Sequence, residues 1–315
     1  MAHQTISAFV IEHGRSTMKH TLLLMLLLAM GQVGCAEELD PPSLIERVRV
    51  LGARVEVEGR PDEATPRPGE QVKVTWVMAA PGDVPPVGWA FTLCQGQSLA
   101  CTGEPLAIVQ GQGAPEFVLK IPEQVEGSEL TLYGQICTAS DPLIDAATGQ
   151  PGCSMGGDGT TASVAIRLQG GAAGNLNLNP SLNGLMWFDD VVWNASAETC
   201  DGLPKVAAGT KKHRVRIATV GSDRQVFEAL TGDPPALKTL REHLQISQFT
   251  TAGKFNRSFS FVESDEGDAP ITEFTWDAPE LKEVPEAGMV VRFTFVVRDL
   301  RGGLGSSGRS ACVTR

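Results

Sequence analysis

An apolar residue occupies every second position of the segment Val72-Lys73-Val74-Thr75-Trp76. The same alternation occurs at Val55-Glu56-Val57 and at Phe117-Val118-Leu119-Lys120-Ile121. Successive side chains of a strand point to opposite faces, so this pattern is typical of strands with one buried face. Clusters such as Pro66-Arg67-Pro68-Gly69 separate the alternating segments and indicate turns. The first half of the chain is therefore predicted to be an antiparallel β-sandwich of short strands.

The second half of the chain shows the same rhythm of short apolar segments and turns. Strands are predicted at residues 213–220, 244–249, 255–262, 289–298 and 307–313. The segment Asp299-Leu300-Arg301-Gly302-Gly303 is expected to close a final hairpin between the last two of them. Residues 175–180 are predicted to be an edge strand that enters a turn, and residues 237–244 are predicted to form one or two helical turns.

A glycine-rich run, Gly170-Gly171-Ala172-Ala173-Gly174, indicates a linker between the two halves. We therefore expect an all-β chain with two tandem antiparallel β-sandwiches, over residues 44–168 and 180–315, joined by a linker over residues 169–179. This linker contains no acidic side chain that could bind Ca²⁺ between the two sandwiches.

Composition and charge exclude several classes of protein. The 315 residues are 42% hydrophobic and 20% charged, which excludes a disordered chain. The 26 basic residues against 37 acidic ones give a net charge of −11, so a nucleic acid is not an expected partner.

The N-terminal region has the arrangement of segments that is typical of a secretory signal peptide. A basic start, Met18-Lys19-His20, precedes the apolar residues 22–30. This apolar stretch is too short to span a bilayer, which takes about 20 residues, but it suits a signal peptide. Residues 1–17 do not fit a signal and are interpreted as an upstream extension. Residues 36–43, with two prolines and three acidic side chains, are predicted to be a solvated tether.

The cut site, Val33-Gly34-Cys35, resembles the lipobox of bacterial lipoproteins, although Gln32 stands where that family usually has Leu. The resemblance implies acylation of Cys35 and a bilayer as a partner through it. Ala36, rather than Asp, implies the outer membrane or cell surface. Plain secretion, with Cys35 as a spare thiol, is the alternative.

The cysteine count supports export. Beyond Cys35 the chain has six cysteines, an even number suited to three disulfides in an oxidising compartment. The division into halves leaves three pairings open among the first four. We favour Cys94–Cys101, Cys137–Cys153 and Cys200–Cys312. A zinc site is disfavoured because the sequence has no C-x-x-C and its exported part has only two histidines, His213 and His243.

A family resemblance lies near the C-terminus. The segment Phe274-Thr275-Trp276-Asp277-Ala278-Pro279, the strand that ends at Val297, and Asp299 with Gly302-Gly303 resemble the last strands of PKD-like or cadherin-like immunoglobulin-type domains. Taken whole, the chain resembles bacterial surface lipoproteins with tandem immunoglobulin-like domains. The resemblance implies two immunoglobulin-like sandwiches that serve adhesion, spacing or ligand display, and it implies no chemistry.

Motifs for catalysis are missing from the sequence. It contains no H-E-x-x-H, no G-x-S-x-G and no phosphate-binding loop. A Ser/His/Asp triad could be assembled around His213 only from distant parts of the chain, and His213 and His243 are interpreted as ordinary strand residues. The acidic group Glu263, Asp265, Glu266 and Asp268 is interpreted as a solvated loop rather than a Ca²⁺ site. No enzyme activity, metal or cofactor is therefore expected.

Two features remain as candidates for binding. Trp187 and Trp193 would share one face of a continuous strand, either in the core or as a sugar-stacking platform, and the core is favoured. Residues 139–160 form a long loop with Asp141, Asp145 and Asp158, whose base the pair Cys137–Cys153 would staple. The predicted function is a membrane-anchored envelope module for binding, adhesion or structure, with another envelope protein or a surface glycan as its partner. A carbohydrate-binding accessory protein or an envelope hydrolase is the alternative.

Overall fold

The computed structural model describes residues 41–315, apart from residues 97–100, 102, 147, 155–158, 170–175, 195–196 and 268. The predictions for the signal peptide, for Cys35, for most of the tether, for the glycine-rich run and for Asp158 and Asp268 lie outside the described residues. The chain from Pro41 to Arg315 forms one compact unit. Within the described residues, no helix has the length and apolar character needed to cross a bilayer.

The first half folds as a β-sandwich. One sheet has the order β1-β2-β5 and the other the order β4-β3-β6-β9. These strands are β1 (Arg49–Val57), β2 (Gln71–Ala79), β3 (Val87–Gln95), β4 (Ala107–Gly113), β5 (Glu116–Lys120), β6 (Glu129–Cys137) and β9 (Gly159–Arg167). Between β6 and β9, the strands β7 (Pro142–Ile144) and β8 (Pro151–Cys153) form a separate hairpin.

The alternation in the sequence sets the core of this sandwich. Val72, Val74 and Trp76 are buried between the sheets, and Lys73 and Thr75 on the same strand are not. Trp76 stacks on Phe91 of the opposite sheet with ring centroids 4.7 Å apart. Burying these side chains removes apolar surface from water, and each Å² buried stabilises the fold by about 25 cal/mol.

The second half is also a sandwich. One sheet has the order β11-β10-β13-β19-β17 and the other the order β12-β21-β20-β16-β18, with β12 parallel to β21. A hairpin of β14 and β15 stands apart from both. The strands are β10 (Met186–Phe188), β11 (Val191–Val192), β12 (Lys205–Ala207), β13 (His213–Ala218), β14 (Val226–Thr231), β15 (Ala236–Arg241), β16 (Leu244–Thr250), β17 (Lys254–Phe255), β18 (Phe259–Val262), β19 (Ile271–Asp277), β20 (Met289–Arg298) and β21 (Leu304–Thr314).

The all-β prediction is confirmed, and so is the final hairpin. Strands β20 and β21 pair antiparallel from Met289–Val313 to Arg298–Leu304. Asp299 shapes the turn, because its Oδ1 accepts the backbone N–H of Arg301 at 2.7 Å and of Gly303 at 2.9 Å. An aromatic cluster of Trp193, Trp276 and Phe293 lies in the core of the second sandwich, to which strand β20 of the hairpin contributes Phe293.

Four local predictions are wrong. The predicted strand 255–262 is divided between β17, which pairs with β19, and β18, which pairs with β16. Residues 237–244 are extended, in β15 and the start of β16, because they pair with β14 and β18. Residues 176–180 make a single isolated bridge, from Leu178 to Glu63, rather than an edge strand. Trp187 and Trp193 do not share one strand face, because Asp189 and Asp190 adopt positive φ angles of 47° and 71° and turn the chain back as a hairpin.

Residues 176–179 are bonded to both sandwiches. Asn177 donates its backbone N–H to Thr65 Oγ1 (3.0 Å) in the first half and its side-chain Nδ2 to Asp299 Oδ2 (2.6 Å) in the second. Asn179 Nδ2 donates to the carbonyl of Val55, and Asn179 Oδ1 accepts the N–H of Leu304. These bonds tie the two sandwiches together through the connecting segment.

An apolar contact adds to this junction. Ile45, Leu51 and Ala79 of the first half pack with Val296 and Leu304 of the second. The start of the chain takes part as well, and it bonds to the second sandwich: Ile45 N–H donates to the carbonyl of Thr250 at 2.8 Å, and Thr250 N–H donates to the carbonyl of Ser43 at 2.9 Å.

Candidate functional site

Within the long loop between β6 and β9, residues 137–146 and 148–153 form a hairpin with strands β7 and β8, which we call the stapled hairpin. A disulfide joins Cys137 to Cys153 at its base, with Cα atoms 5.7 Å apart. The hairpin rests on β3 at Gly88, where a Cβ atom would lie 2.5 Å from Pro142 Cδ. Only glycine permits this close approach, so the sequence fixes the hairpin against the sheet.

An open cleft of about 560 Å³ lies between the stapled hairpin and the end of the first sandwich. Its walls carry backbone and side-chain polar groups from both sides, including Gln112, Ser140, Asp141 and Ser154. Gln112 Nε2 donates to Asp141 Oδ1 across the cleft at 3.1 Å, and the N–H of Ser154 donates to the carbonyl of Asp141 at 2.9 Å. The Oγ atom of Ser140 is buried and finds no hydrogen-bond partner among the described residues.

The three aspartates predicted for this loop have different roles. Asp141 lines the cleft. Asp145 lies at the far end of the hairpin, where its Oδ1 accepts the N–H and the hydroxyl of Thr148 at 2.8 and 2.9 Å and so holds the turn. Asp158 lies outside the described residues. Among the described residues, no three His, Cys, Asp or Glu side chains form a group that could hold a metal ion.

The three favoured disulfides are confirmed. The Cα–Cα distances are 5.0 Å for Cys94–Cys101, 5.7 Å for Cys137–Cys153 and 5.1 Å for Cys200–Cys312. All three distances suit a disulfide. Such a set is typical of proteins that fold outside the cytoplasm.

His213 has a more structured environment than its strand position predicts. Its Nδ1 lies 2.5 Å from Asp189 Oδ2, its Nε2 lies 2.7 Å from Thr210 Oγ1, and its ring stacks on Phe188. The order carboxylate, imidazole, hydroxyl is that of a hydrolase triad. However, the Thr210 hydroxyl donates its proton to the carbonyl of Ala207 at 2.5 Å. The Ala207 carbonyl therefore competes with Nε2 for the single proton of this hydroxyl.

The two tryptophans considered as a platform have separate environments. Trp193 is in the core, 2% exposed, and its Nε1 donates to the carbonyl of Ser310 at 2.7 Å. Trp187 is half-buried at the surface, with the Arg216 guanidinium 5.2 Å from its ring centroid. Arg216 also pairs with Asp190 at 2.7 Å. One tryptophan, rather than two, is thus available at this surface.

The junction contains a buried acidic pair that sequence reasoning missed. Glu242 and Asp299 are 1% and 2% exposed. Burial raises the pKa of Glu242 to about 7, against hydrogen bonds from the Gln225 N–H and the Arg301 guanidinium. Burial likewise raises the pKa of Asp299, against donors from Asn177, Arg301 and Gly303. Both residues come from loops distant in sequence from the linker 169–179, which itself has no acidic side chain.

A second cleft of about 400 Å³ lies where the sandwiches meet. Met78, Asp83 and Val84 line one side, and Phe249 and Arg292 line the other. Asp83 bridges it with an ion pair to Arg292 at 3.0 Å. This exposed pair joins the two halves and adds to the junction, although such pairs contribute at most about 1 kcal/mol.

Comparison with known proteins gives no family. No protein-family model and no curated protein matches the sequence. Among solved structures, Escherichia coli alpha-2-macroglobulin activated by porcine elastase aligns with 86% of this chain and 22% of its own, at 11% identity and a TM-score of 0.20. The trypsin-activated alpha-2-macroglobulin from Escherichia coli aligns with 86% of this chain and 17% of its own, at 12% identity and a TM-score of 0.21. The native conformation of the Escherichia coli protein aligns with 85% of this chain and 16% of its own, at 13% identity and a TM-score of 0.20. This chain spans less than a quarter of their length, and likeness at this level carries no argument about function.

Proposed function

We propose that this protein is an exported, non-enzymatic module of the bacterial envelope that binds a partner through the stapled hairpin. In this proposal, acylated Cys35 anchors it to the outer membrane or cell surface. The partner is another envelope protein or a surface glycan, and a nucleic acid is disfavoured by the net charge of −11.

One observation carries the binding proposal: the disulfide-stapled hairpin and its cleft. A long loop that is ordered by a disulfide, by Asp145 and by contact with Gly88 loses little entropy when it binds, because its conformation is already fixed. The cleft beside it offers polar groups, among them Gln112, Asp141 and Ser154, to which a ligand could bond.

The surroundings of His213 support a non-enzymatic role. The Ala207 carbonyl competes with His213 Nε2 for the proton of the neighbouring Thr210 hydroxyl, and this competition disfavours the hydroxyl as a nucleophile. If His213→Ala leaves binding unchanged and no hydrolase activity depends on His213, the module proposal stands. Hydrolysis of an envelope polymer that is lost in this variant would favour the hydrolase instead.

Photocrosslinking in the exporting cell tests the binding proposal. Leu143, at 40% exposure on the hairpin, is replaced by the photoreactive amino acid p-benzoylphenylalanine. Val118, at 55% exposure on β5, serves as the matched control site. We expect one discrete adduct from the hairpin position and none from the control. Equal labelling at both positions, or none at either, would contradict the proposal.

Intact mass of the exported protein tests the anchor. We expect a lipid increment on Cys35 that is absent from Cys35→Ser, and a gain of six hydrogens on reduction of three disulfides. An unlipidated chain in the same preparation would remove the anchor from the proposal.

A carbohydrate-binding role is the second candidate, and Trp187 favours it. A half-buried indole beside Arg216 and Asp190 can stack on a sugar ring while the charged groups bond to hydroxyls. A glycan-array signal that Trp187→Ala abolishes would support this role.

A further inference from the structure

Strand β18 carries an unusual exposed aromatic pair. Phe259 and Phe261 are 49% and 43% exposed, and they are the only exposed phenylalanines among the described residues. Their rings meet edge to face with centroids 5.4 Å apart, and His243 lies 5.0 Å from Phe261. Phenylalanine is normally buried, so this pair indicates a surface that is covered in the working protein.

The backbone of β18 is open on the same side of the molecule. In the described sheet, β18 is the outermost strand and pairs only with β16. The carbonyl of Ser258 accepts the N–H of Gln248 in β16. Because backbone groups alternate in an antiparallel ladder, those of Ser260 and Val262 also face β16, and those of Phe259 and Phe261 face the open edge. A further strand can therefore add to β18 through Phe259 and Phe261.

The aromatic pair continues an apolar face that is already used for packing. Phe259 stands opposite Ser247 in the register, and Phe249 follows on the same face of β16. Phe249 packs against the cluster through which the first sandwich contacts this sheet. The covered face and the exposed pair are thus neighbours on one surface, and the covered part ends where β18 begins.

Charges at the two ends of β18 select the partner. Arg257 precedes the strand, donates to the carbonyl of Glu273 and makes no ion pair with a described residue. Glu263 follows the strand and is exposed, with one carboxylate oxygen 2.9 Å from His243 Nδ1. The strand is therefore positive at its start and negative at its end.

We propose that β18 pairs antiparallel with β18 of a second copy of this chain, about a two-fold axis at Ser260. In this register Phe259 of each copy stands opposite Phe261 of the other, and both positions have outward-facing backbone groups. Arg257 of each copy then stands opposite Glu263 of the other. Each contact occurs twice, as a two-fold interface requires. The two sheets join into one continuous sheet with four phenylalanine rings side by side.

A charge-swap series tests this register. The full chain, in density-matched detergent, is measured by sedimentation equilibrium over a hundredfold range of protein concentration. We expect wild type to dimerise. Arg257→Glu and Glu263→Arg each turn two attractive cross-strand pairs into repulsive ones and should raise the dimer dissociation constant about 30-fold. The double swap R257E/E263R restores both pairs and should return the constant to within about threefold of wild type.

Matched controls lie on the hairpin of β14 and β15, which is not part of the sheet that contains β18. Lys238→Glu and Glu228→Arg make the same charge changes at exposed positions and should leave the dimer unchanged. A wild-type chain that stays monomeric throughout the concentration range overturns the proposal. A double swap as weak as the single swaps, or a dimer that persists in every variant, also overturns it. This inference does not depend on the partner proposed for the stapled hairpin.

Discussion

The change Glu242→Gln should alter how the stability of this protein depends on pH. Glu242 is 1% exposed at the junction. Its Oε2 accepts the N–H of Gln225 at 2.9 Å, and its Oε1 pairs with Arg301 Nη1 at 2.9 Å. Burial raises the pKa of Glu242 from 4.5 to about 7, more than these donors and the Arg301 charge lower it. The folded protein therefore holds this proton more tightly than the unfolded chain does.

The sign and size of the effect follow from this pKa. A raised carboxyl pKa contributes stability that is fully present below pH 4.5 and is lost as the pH rises through about 7. At about 1.4 kcal/mol per pKa unit, the loss is about 3 kcal/mol between pH 4 and pH 8. Glutamine stays neutral and keeps an acceptor for Gln225, so the variant escapes this loss.

Urea unfolding of both proteins between pH 4 and pH 8, with the disulfides intact, measures the effect. The free energy of unfolding of Glu242→Gln, minus that of wild type, should rise by about 3 kcal/mol across this range. Glu123→Gln, at an exposed ion pair with Lys120, is the control and should show no such trend. A difference that is flat with pH, or that falls, would refute the reasoning and would mean that Arg301 keeps Glu242 charged at no cost.

Three further changes test the core, the junction and the longest disulfide loop, each by urea unfolding at pH 7. Trp193→Ala should destabilise by about 4 kcal/mol because it empties part of the core, whereas Trp187→Ala at the surface should cost about 1 kcal/mol; equal losses would contradict the assigned burial. Asn177→Ala removes the 2.6 Å donor to the buried Asp299 carboxylate and should cost about 2 kcal/mol; a change under 0.5 kcal/mol would show that the junction does not depend on this bond. Replacing Cys200 and Cys312 together by Ser opens a loop of 112 residues and should cost about 5 kcal/mol, and no loss would mean that the disulfide does not form.

Period-two alternation predicts the strands well because it depends only on neighbouring residues. It identified Val72, Val74 and Trp76 as buried, and the structure confirms this. It failed at residues 237–244, where leucines three and four apart also fit a helix. Pairing with β14 settles that ambiguity, and pairing is a long-range property.

The hairpin at Asp189-Asp190 could have been found from the sequence. Both central residues of a tight two-residue turn adopt positive φ, and Asp tolerates this conformation, so Asp189-Asp190 between the apolar pairs Trp187-Phe188 and Val191-Val192 is compatible with such a turn. The prediction of one continuous strand over residues 187–193 placed Trp187 and Trp193 on the same face. The hairpin also brings Asp189 to His213, and that contact follows from the turn.

In the candidate site too, some features could be predicted from the sequence and others could not. The disulfide staple of the hairpin at Cys137 and Cys153 could be predicted from cysteine count and spacing. The cleft beside it, the burial of Glu242 and Asp299, and the open edge of β18 could not. Each of these depends on segments that approach one another only in the folded chain.

The attachment of Ser43 and Ile45 to Thr250 decides how the protein bears tension. A pull on the start of the chain reaches the second sandwich through these hydrogen bonds before it reaches β1. The junction, with Asn177 and its bond to Asp299, then shares the load with that bridge. A force on the N-terminus is therefore resisted first where the two sandwiches meet, and the strands of the first sandwich are shielded until that attachment gives way.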